Sequence, residues 1–312
     1  MASRPAITAA LSANARARLA DRVELMATLC RHMKNTGRCS RTCVHELRRA
    51  CRAAEAAAWL LSSADRSAFE RFRTKLKRLR RRAGAVRDID VARLVLRSLE
   101  GPRAIRRDVS LVRESLREKR LERGERLLAF LLRHSRGGIP AAADSLRRVT
   151  KSLGDAEVLR SLRGLDARVR RLAAKGPRSI EAMHTLRIAG KRALLAGEIV
   201  RPTPRECNPL AVLVNQIGRL LDLEVAIELT KELASDLSPE RVTVRKGVRR
   251  TKRSIRRSSS GSAPHATEPI PLLGVLRERA RLESRAVGKG CVALAKIRDW
   301  RSGAATNPVG RE

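Results

Sequence analysis

The chain has 312 residues, of which 69 are Lys or Arg and 32 are Asp or Glu, so its formal net charge is +37. Internal ion pairs cannot cancel this excess, which indicates a polyanionic partner such as nucleic acid, polyphosphate or anionic lipid. Hydrophobic residues make up 43% of the chain, enough for a core, and no uncharged apolar run reaches membrane length. The composition therefore favours a folded, strongly basic protein and predicts no membrane partner.

The contents of aromatic residues and cysteines further restrict the class of binding partner and the cellular compartment. Three Phe, two Trp and no Tyr leave few side chains on which bases could stack, which disfavours single-strand nucleic-acid binding and leaves phosphate contact open. The six cysteines include no Cys-x-x-Cys pair, and this pattern is typical of a reduced, cytoplasmic protein. Cys39, Cys43 and His45 lack a fourth ligand at a zinc-like spacing, so no metal site and no cofactor are predicted.

Nearly the whole chain has a helical composition, because Ala, Leu, Arg and Glu dominate and β-branched alternation is scarce. Helices are predicted at about 8–34, 41–62, 66–83, 88–99, 102–135, 141–174, 178–200, 207–218, 222–236 and 239–257, and a break near Gly154 is left open. The Gly and Pro residues at 137–140 divide residues 1–257 into halves of about 15–136 and 141–257. A flexible linker is predicted at 258–271, followed by a helix and tail at 272–312.

Two predicted helices carry the same basic motif, His-x-x-Arg-x-x-x-Arg/Lys, in "VHELRRACR" (44–52) and "MHTLRIAGK" (183–191). Residues at i, i+3 and i+7 share one helix face and span about 10 Å. The two rows are His45, Arg48 and Arg52 in the first copy and His184, Arg187 and Lys191 in the second. A stripe of apolar or small residues adjoins each row, so the basic side chains should lie at the edge of a packed seam, where a charge interacts strongly with a bound anion.

A second element follows each motif. Residues 69–91, "FERFRTKLKRLRRRAGAVRDIDV", combine a heptad-like apolar stripe with a basic face, and the counterpart at 213–225, "LVNQIGRLLDLEV", is far less basic. The basic face consists of Lys75, Arg78 and Arg82.

Glycines and carboxylates recur at matching places in these two elements. Gly84 and Gly218 are predicted to end helices, and Asp88 and Asp222 to cap the helices that follow. We expect these carboxylates, together with Asp90, to serve as caps and ion-pair partners rather than as metal ligands.

The motifs "VHELRRACR", "GAVRDIDV" and "MHTLRIAGKR", in this order, resemble those of the conserved-histidine α-helical domain family, CHAD, over residues of about 15–257. The resemblance implies an all-α fold of two helical bundles related by an internal pseudo-twofold, with basic side chains lining a central groove. It also implies non-enzymatic binding of inorganic polyphosphate and association with polyphosphate granules. The Glu-x-Glu-x-Lys signature of the triphosphate-cleaving domain fused to some members is absent.

By this resemblance, both halves would contribute to a polyphosphate-binding groove. The implied residues are His45, Arg48, Arg52, Lys75, Arg78, Arg82 and Arg87 from the first half and His184, Arg187, Lys191, Arg192 and Arg219 from the second. Glu55 and Leu194 stand where the family usually has basic residues, and the carboxylate is expected to weaken the local potential. Each motif histidine either donates to phosphate oxygens or bridges helices inside its bundle.

Three classes of function remain in view at this point. The leading hypothesis is a non-enzymatic polyphosphate-binding protein whose arginines and lysines replace the counterions of the polymer. The alternative is a nucleic-acid-binding protein that contacts phosphates without reading bases. An enzyme acting on polyphosphate is disfavoured, because no acidic cluster suited to Mg²⁺ or Mn²⁺ appears in the sequence. No protein partner is identified by the sequence.

Overall fold

The structure, a computed structural model, describes residues 11–99, 103–133, 138–200, 208–236 and 271–296. Within these ranges it contains α-helices and no strands, which confirms the predicted all-α class. The helices are α1 (Leu11–Thr36), α2 (Arg41–Leu60), α3 (Arg66–Arg97), α4 (Arg103–Arg133), α5 (Gly138–Val149), α6 (Asp155–Ala174), α7 (Ile180–Val200), α8 (Pro209–Asp236) and α9 (Pro271–Lys296). None of these described helices has the length and apolar character that crossing a membrane requires.

Local side-chain chemistry sets several helix ends. The Ser40 hydroxyl accepts a hydrogen bond from the Cys43 amide at 3.1 Å, and this cap begins α2. Asp65 accepts from the Ala68 amide at 2.9 Å and begins α3. Gly37, with φ of 61°, follows the end of α1 in a conformation that favours glycine.

Two predicted helix ends are wrong: α3 runs through Gly84, and α8 runs through Gly218. Asp88 and Asp222 therefore lie inside helices and do not cap them. The apolar stripe of α3 continues past the glycine, and Ile89 is fully buried, so packing against neighbouring helices outweighs the cost of about 1 kcal/mol for a mid-helix glycine. The break near Gly154, by contrast, is present and separates α5 from α6.

The two motif helices, α2 and α7, pack directly against each other. Each also packs on the helix that carries the second element of its half, α2 on α3 and α7 on α8, and α3 in turn contacts α8. One continuous cluster of buried side chains joins these helices, with Phe69 and Phe72 among its largest members. The basic rows of both halves are thereby brought to the centre of the helical assembly.

The remaining expectations about organisation have different outcomes. The C-terminal helix predicted after the linker is present as α9, which packs mainly on α8 and also contacts α6 and α4. The predicted helix at 239–257 lies outside the described residues. The predicted linker at 258–271 does so too, except for residue 271. The domain boundaries and the pseudo-twofold relation between the halves stay predictions.

Gly190 marks a very close approach of α7 to α8. A Cβ atom added there would lie 2.5 Å from Val214 Cγ2 and 3.2 Å from Leu210 Cδ1. We expect Gly190→Ala to lower the free energy of unfolding by about 1–3 kcal/mol, because buried side chains of α8 must move. Urea denaturation followed by circular dichroism measures this change.

Gly164→Ala on α6 is the matched control. A Cβ atom there meets nothing within 4 Å, so the substitution should raise stability by up to about 1 kcal/mol through helix propensity. A Gly190→Ala variant as stable as the unsubstituted chain would contradict the close packing of α7 on α8.

Candidate anion-binding cleft

Five of the six residues of the two basic rows, all except His45, face a shared cleft of about 320 Å³ between α2, α3 and α7. We call it the Arg52–Lys191 cleft. Its basic lining comprises Arg48, Arg52, Lys77, Arg80, Arg81, His184, Arg187, Lys191 and Arg192. The carboxylates among its lining residues are Glu55 and Asp88, so eight Lys and Arg side chains meet two acidic ones. The cleft therefore carries a concentrated positive potential.

Arg48 is held in place by a glycine and a carboxylate on α3. Its Nη1 donates to Asp88 Oδ1 at 3.3 Å, and a Cβ atom on Gly84 would lie 4.0 Å from the Arg48 guanidinium carbon. The guanidinium thus lies beside position 84, at a distance that a Cβ atom would meet as ordinary van der Waals contact. Asp88 is the group that holds this arginine.

The second half repeats the arrangement on α8. A Cβ atom on Gly218 would lie 3.4 Å from Arg187 Nη2, and Asp222 is the charge that most stabilises the Arg187 cation. Both Arg48 Nε and Arg187 Nε are buried without a hydrogen-bond partner. Asp88 therefore holds Arg48 by a direct ion pair, Asp222 acts on Arg187 through its charge, and each arginine keeps one donor unsatisfied.

Arg52 and Lys191 occupy the middle of the cleft without such support. Among the described residues no carboxylate lies within ion-pair distance of either side chain. Burial, followed by repulsion from Arg187, Arg52 and Arg48, lowers the pKa of Lys191 to about 7. Burial and repulsion from Arg48, Arg187 and Arg80 likewise lower the pKa of Arg52 to about 10. Both cations are thus destabilised by their surroundings, and a bound anion would relieve that cost.

Glu55 organises one wall of the cleft. Its side chain is 7% exposed, and it accepts from Arg192 Nη2 at 2.6 Å and from Arg80 Nη1, while Arg73 Nε lies 3.6 Å away. These contacts tie α2, α3 and α7 to one carboxylate. Glu55 was expected to weaken the positive potential. In the structure it also positions the three guanidinium groups that surround its single negative charge.

The motif histidines lie at different places around the cleft. His184 lines the Arg52–Lys191 cleft, whereas His45 lines a neighbouring cleft of about 340 Å³, which we call the His45 cleft. Arg52 and Lys191 line both clefts. Both side chains are exposed. Partial desolvation on the protein side of each ring, and nearby arginines second, hold the pKa of each histidine below its usual range. The shift favours the neutral imidazole, which offers one N–H donor.

Several residues implied by the family resemblance lie outside the Arg52–Lys191 cleft. Lys75 and Arg78 line a separate groove beside Phe130, and Arg82 is exposed on α3. Arg219 pairs with Glu283 of α9 at 3.1 Å. The apolar stripe of α3 is buried as expected, but the flank of α3 that lines the Arg52–Lys191 cleft carries Lys77 and Arg80, not Lys75 and Arg78.

Two further implied residues lie at the margins of the cleft. Arg87 is close to Arg48 and Asp222 without belonging to the lining. Arg192 does line the cleft, but its guanidinium is bound to Glu55 and lies 4.8 Å from the Trp59 ring centroid. Arg192 therefore stabilises the wall of the cleft, and its guanidinium is less accessible to a bound anion.

Sequence reasoning missed Lys77, Arg80 and Arg81, which form the α3 wall of the cleft. A signal for them exists in the sequence. In a continuous helix Arg80 shares a face with Gly84 and Asp88, at i+4 and i+8. Once Gly84 was predicted to end the helix, this relation was lost.

A metal site at Cys39, Cys43 and His45 was disfavoured from the sequence. In the structure the Cys39 thiol donates to the Gly124 carbonyl at 3.5 Å. No group of three potential metal ligands comes together within the part of the chain that the structure describes.

Removing the Glu55 carboxylate should destabilise the protein. Glu55→Ala leaves Arg80 and Arg192 half-buried without their counter-charge, so we expect a loss of about 3 kcal/mol in the free energy of unfolding. Chemical denaturation measures it, with Glu278→Ala as the control. Glu278 makes an exposed pair with Arg281 at 3.5 Å, and its removal should change stability by less than about 0.5 kcal/mol. Equal effects of the two substitutions would show that Glu55 does not hold the wall together.

Comparisons with known proteins place this arrangement in a family. A comparison with curated proteins found no match. The crystal structure of the CHAD domain from the plant Ricinus communis matches with a TM-score of 0.65 and 19% sequence identity, covering 94% of this chain and 95% of that one. At this identity the likeness shows the fold alone. The CHAD domain model matches residues 24–211, which is more than half of the chain and includes both motif helices. The chain therefore belongs to the CHAD domain family.

Proposed function

We propose that the protein binds inorganic polyphosphate in the Arg52–Lys191 cleft and does not cleave it. The observation that carries this proposal is the convergence of two half-buried cations, Arg52 and Lys191, without a carboxylate partner among the described residues. A polyanion would supply the missing counter-charge. Family membership and the net charge of +37 support the same ligand class.

The mechanism is electrostatic. Arginine and lysine replace the counterions condensed on the polymer, and their release drives binding. Arg48, held by Asp88, and Arg187, stabilised by the charge of Asp222, present guanidinium groups that can bind two phosphate oxygens at once. Binding requires no chemical step, and the proposal assigns no catalytic residue.

A linear polymer suits the layout better than a single phosphate ion. The Arg52–Lys191 cleft and the His45 cleft meet at Arg52, Lys191 and Leu195. A chain bound at this junction would meet Lys77 and Arg81 on one side and Arg22 and Arg49 on the other. Repeating phosphate units could therefore engage basic side chains along both clefts.

Neither the Arg52–Lys191 cleft nor the His45 cleft is lined by a described Phe or Trp, and the half-buried Phe130 lies in the separate groove with Lys75 and Arg78. Phe69 and Phe72 are fully buried, and Trp59 is covered by the guanidinium groups of Arg66 and Arg192. Contact through phosphates, without base stacking, is what such a cleft favours. The proposal extends to location: a protein with this ligand would collect at polyphosphate granules in the cytoplasm.

Replacing Arg52 and Lys191 by Gln tests the proposal directly. We expect R52Q/K191Q to bind long-chain polyphosphate on the order of 100-fold more weakly, because two charge-assisted contacts are lost. The slope of log affinity against log salt should shrink by about 1.4, the value for two fewer phosphate contacts on a flexible strand. Fluorescence anisotropy at several salt concentrations measures both quantities.

The matched control is R160Q/R163Q, which removes the same charge from exposed positions on α6. It should retain affinity within a few-fold. If the two double variants weaken binding equally, net charge and not the cleft is responsible. Tighter binding of duplex DNA or RNA at matched charge concentration would favour nucleic acid as the ligand. Metal-dependent phosphate release by the purified chain would contradict a non-enzymatic role.

The low pKa of free Lys191, about 7, predicts that binding takes up a proton. A bound polyanion stabilises the ammonium form and raises this pKa. Affinity should therefore be highest below pH 7 and fall as pH rises between the free and bound values, by up to about tenfold per pH unit. Titrations between pH 7 and 9 measure this window, above the range in which the histidines titrate.

Lys191→Arg is the control, since its guanidinium stays charged across the window. Long chains should be used so that titration of their ends contributes little. The groups acting on Lys191 are Arg187, Arg52, Arg48 and Asp222. An unchanged pH dependence in Lys191→Arg would show that Lys191 is not the titrating group.

A further inference from the structure

A second arginine-rich cleft lies away from the first, between the start of α2, the C-terminal half of α3 and the middle of α4. It measures about 370 Å³ and shares no lining residue with the Arg52–Lys191 cleft. We call it the Arg93 cleft. Its lining comprises Ser40, Arg41, Asp90, Arg93, Leu94, Arg97, Arg117, Arg120 and Leu121.

Two of its five arginines are already engaged by carboxylates. Arg120 Nε donates to Asp90 Oδ1 at 2.6 Å, and Arg120 Nη2 donates to the Cys39 carbonyl at 2.9 Å. Arg117 pairs with Glu114 at 3.7 Å. The other three, Arg41, Arg93 and Arg97, have no carboxylate within ion-pair distance among the described residues. The cleft therefore retains an uncompensated positive charge.

Unsatisfied polar atoms of both kinds are buried at this cleft. Arg93 Nε is a donor without a partner, and Asp90 Oδ2 is an acceptor without a partner on a side chain that is 4% exposed. Burial, together with repulsion from Arg97 and Arg113, lowers the pKa of Arg93. A simple anion could satisfy the guanidinium donors, but it would leave the Asp90 oxygen unpaired.

A phosphate group that carries one proton offers both acceptors for the guanidinium donors and a donor for the Asp90 oxygen. Its charged oxygens accept hydrogen bonds, and its hydroxyl donates one. The second ionisation of phosphate groups has a pKa near 6–7, so the protonated form is well populated near neutral pH. Internal units of a phosphate chain lack this proton, whereas orthophosphate and chain ends have it.

We propose that the Arg93 cleft binds a proton-bearing phosphate group, either orthophosphate or the terminal unit of a phosphate chain. Its charged oxygens accept from Arg41, Arg93 and Arg97, and its hydroxyl donates to Asp90 Oδ2, which is buried and is uncovered by a shift of neighbouring side chains on binding. The first turn of α2, which begins at Arg41, adds a favourable helix-end potential. This site stands independently of polyphosphate binding at the Arg52–Lys191 cleft.

Calorimetry with three small probes tests the assignment. Tripolyphosphate has proton-bearing ends, orthophosphate is the free group, and cyclic trimetaphosphate has three negative charges but no terminal unit. The R52Q/K191Q chain is used throughout, so that the first cleft contributes little. We expect tripolyphosphate and orthophosphate to bind with one site each and trimetaphosphate to bind at least tenfold more weakly. The relative affinities of the first two identify which source of the group the cleft prefers.

Adding R93Q/R97Q should abolish this binding, and adding R160Q/R163Q should preserve it. Thermal unfolding shows whether the variants fold, and the single Arg97→Gln variant, at an exposed position, gives the same test if Arg93 is needed for folding. Equal weakening by both added pairs, or trimetaphosphate binding as tightly as tripolyphosphate, would overturn the proposal. Loss of long-chain polyphosphate binding in R52Q/K191Q tests only the first cleft, so the two proposals can fail separately.

Discussion

The site depends on repulsion between cations that helix packing forces together. α2 and α7 pack directly against each other and carry small buried residues such as Ala54, Ala58 and Ala193, which permit close approach of neighbouring helices. Arg52 and Lys191 then lie half-buried beside each other with no carboxylate to neutralise them. Hydrophobic burial elsewhere offsets this cost in the free protein. An anion that enters the cleft recovers it as binding free energy, which is why a destabilised pair of cations indicates function.

The cations of the cleft divide into two kinds with different roles. Arg48 donates to Asp88 and lies beside Gly84, so its geometry is set before any ligand arrives, whereas Arg187 lies beside Gly218 and is stabilised by the charge of Asp222. Arg52 and Lys191 lack such partners and carry the uncompensated charge. Preorganised guanidinium groups lose little freedom on binding, and unpaired charges supply attraction. Anion binding needs both kinds of cation. If every cation were paired with a carboxylate, the attraction would be lost, and if none were paired, the side chains would not be held in position.

Sequence patterns predicted the helical class and the apolar stripe of α3, because both depend on local periodicity, whereas a groove shared by the two motif rows was implied only by the family resemblance. They failed where the answer depends on a neighbour. A helical stripe has two flanks, and only the position of α7 decides that Lys77 and Arg80, and not Lys75 and Arg78, line the cleft. Gly84 has the local signature of a helix end, but the arginine that occupies its open side comes from another helix. The three arginines around Glu55 likewise come from α3 and α7, so no local sequence pattern around Glu55 could predict these ion pairs.

A net charge of +37 makes nearly every surface basic, so charge alone cannot identify a site. Burial combined with the absence of a carboxylate partner is more selective. Arg219, implied by the family resemblance, is exposed and paired with Glu283, and solvent screens most of what it could contribute. Lys191 and Arg93 are partly buried among other cations and meet the criterion. The same criterion leads to both clefts, yet they differ in one respect: the Arg93 cleft contains an unpaired carboxylate oxygen. Under the two proposals, the surrounding charge would attract a polyanion, and the buried groups would determine which phosphate group each cleft prefers.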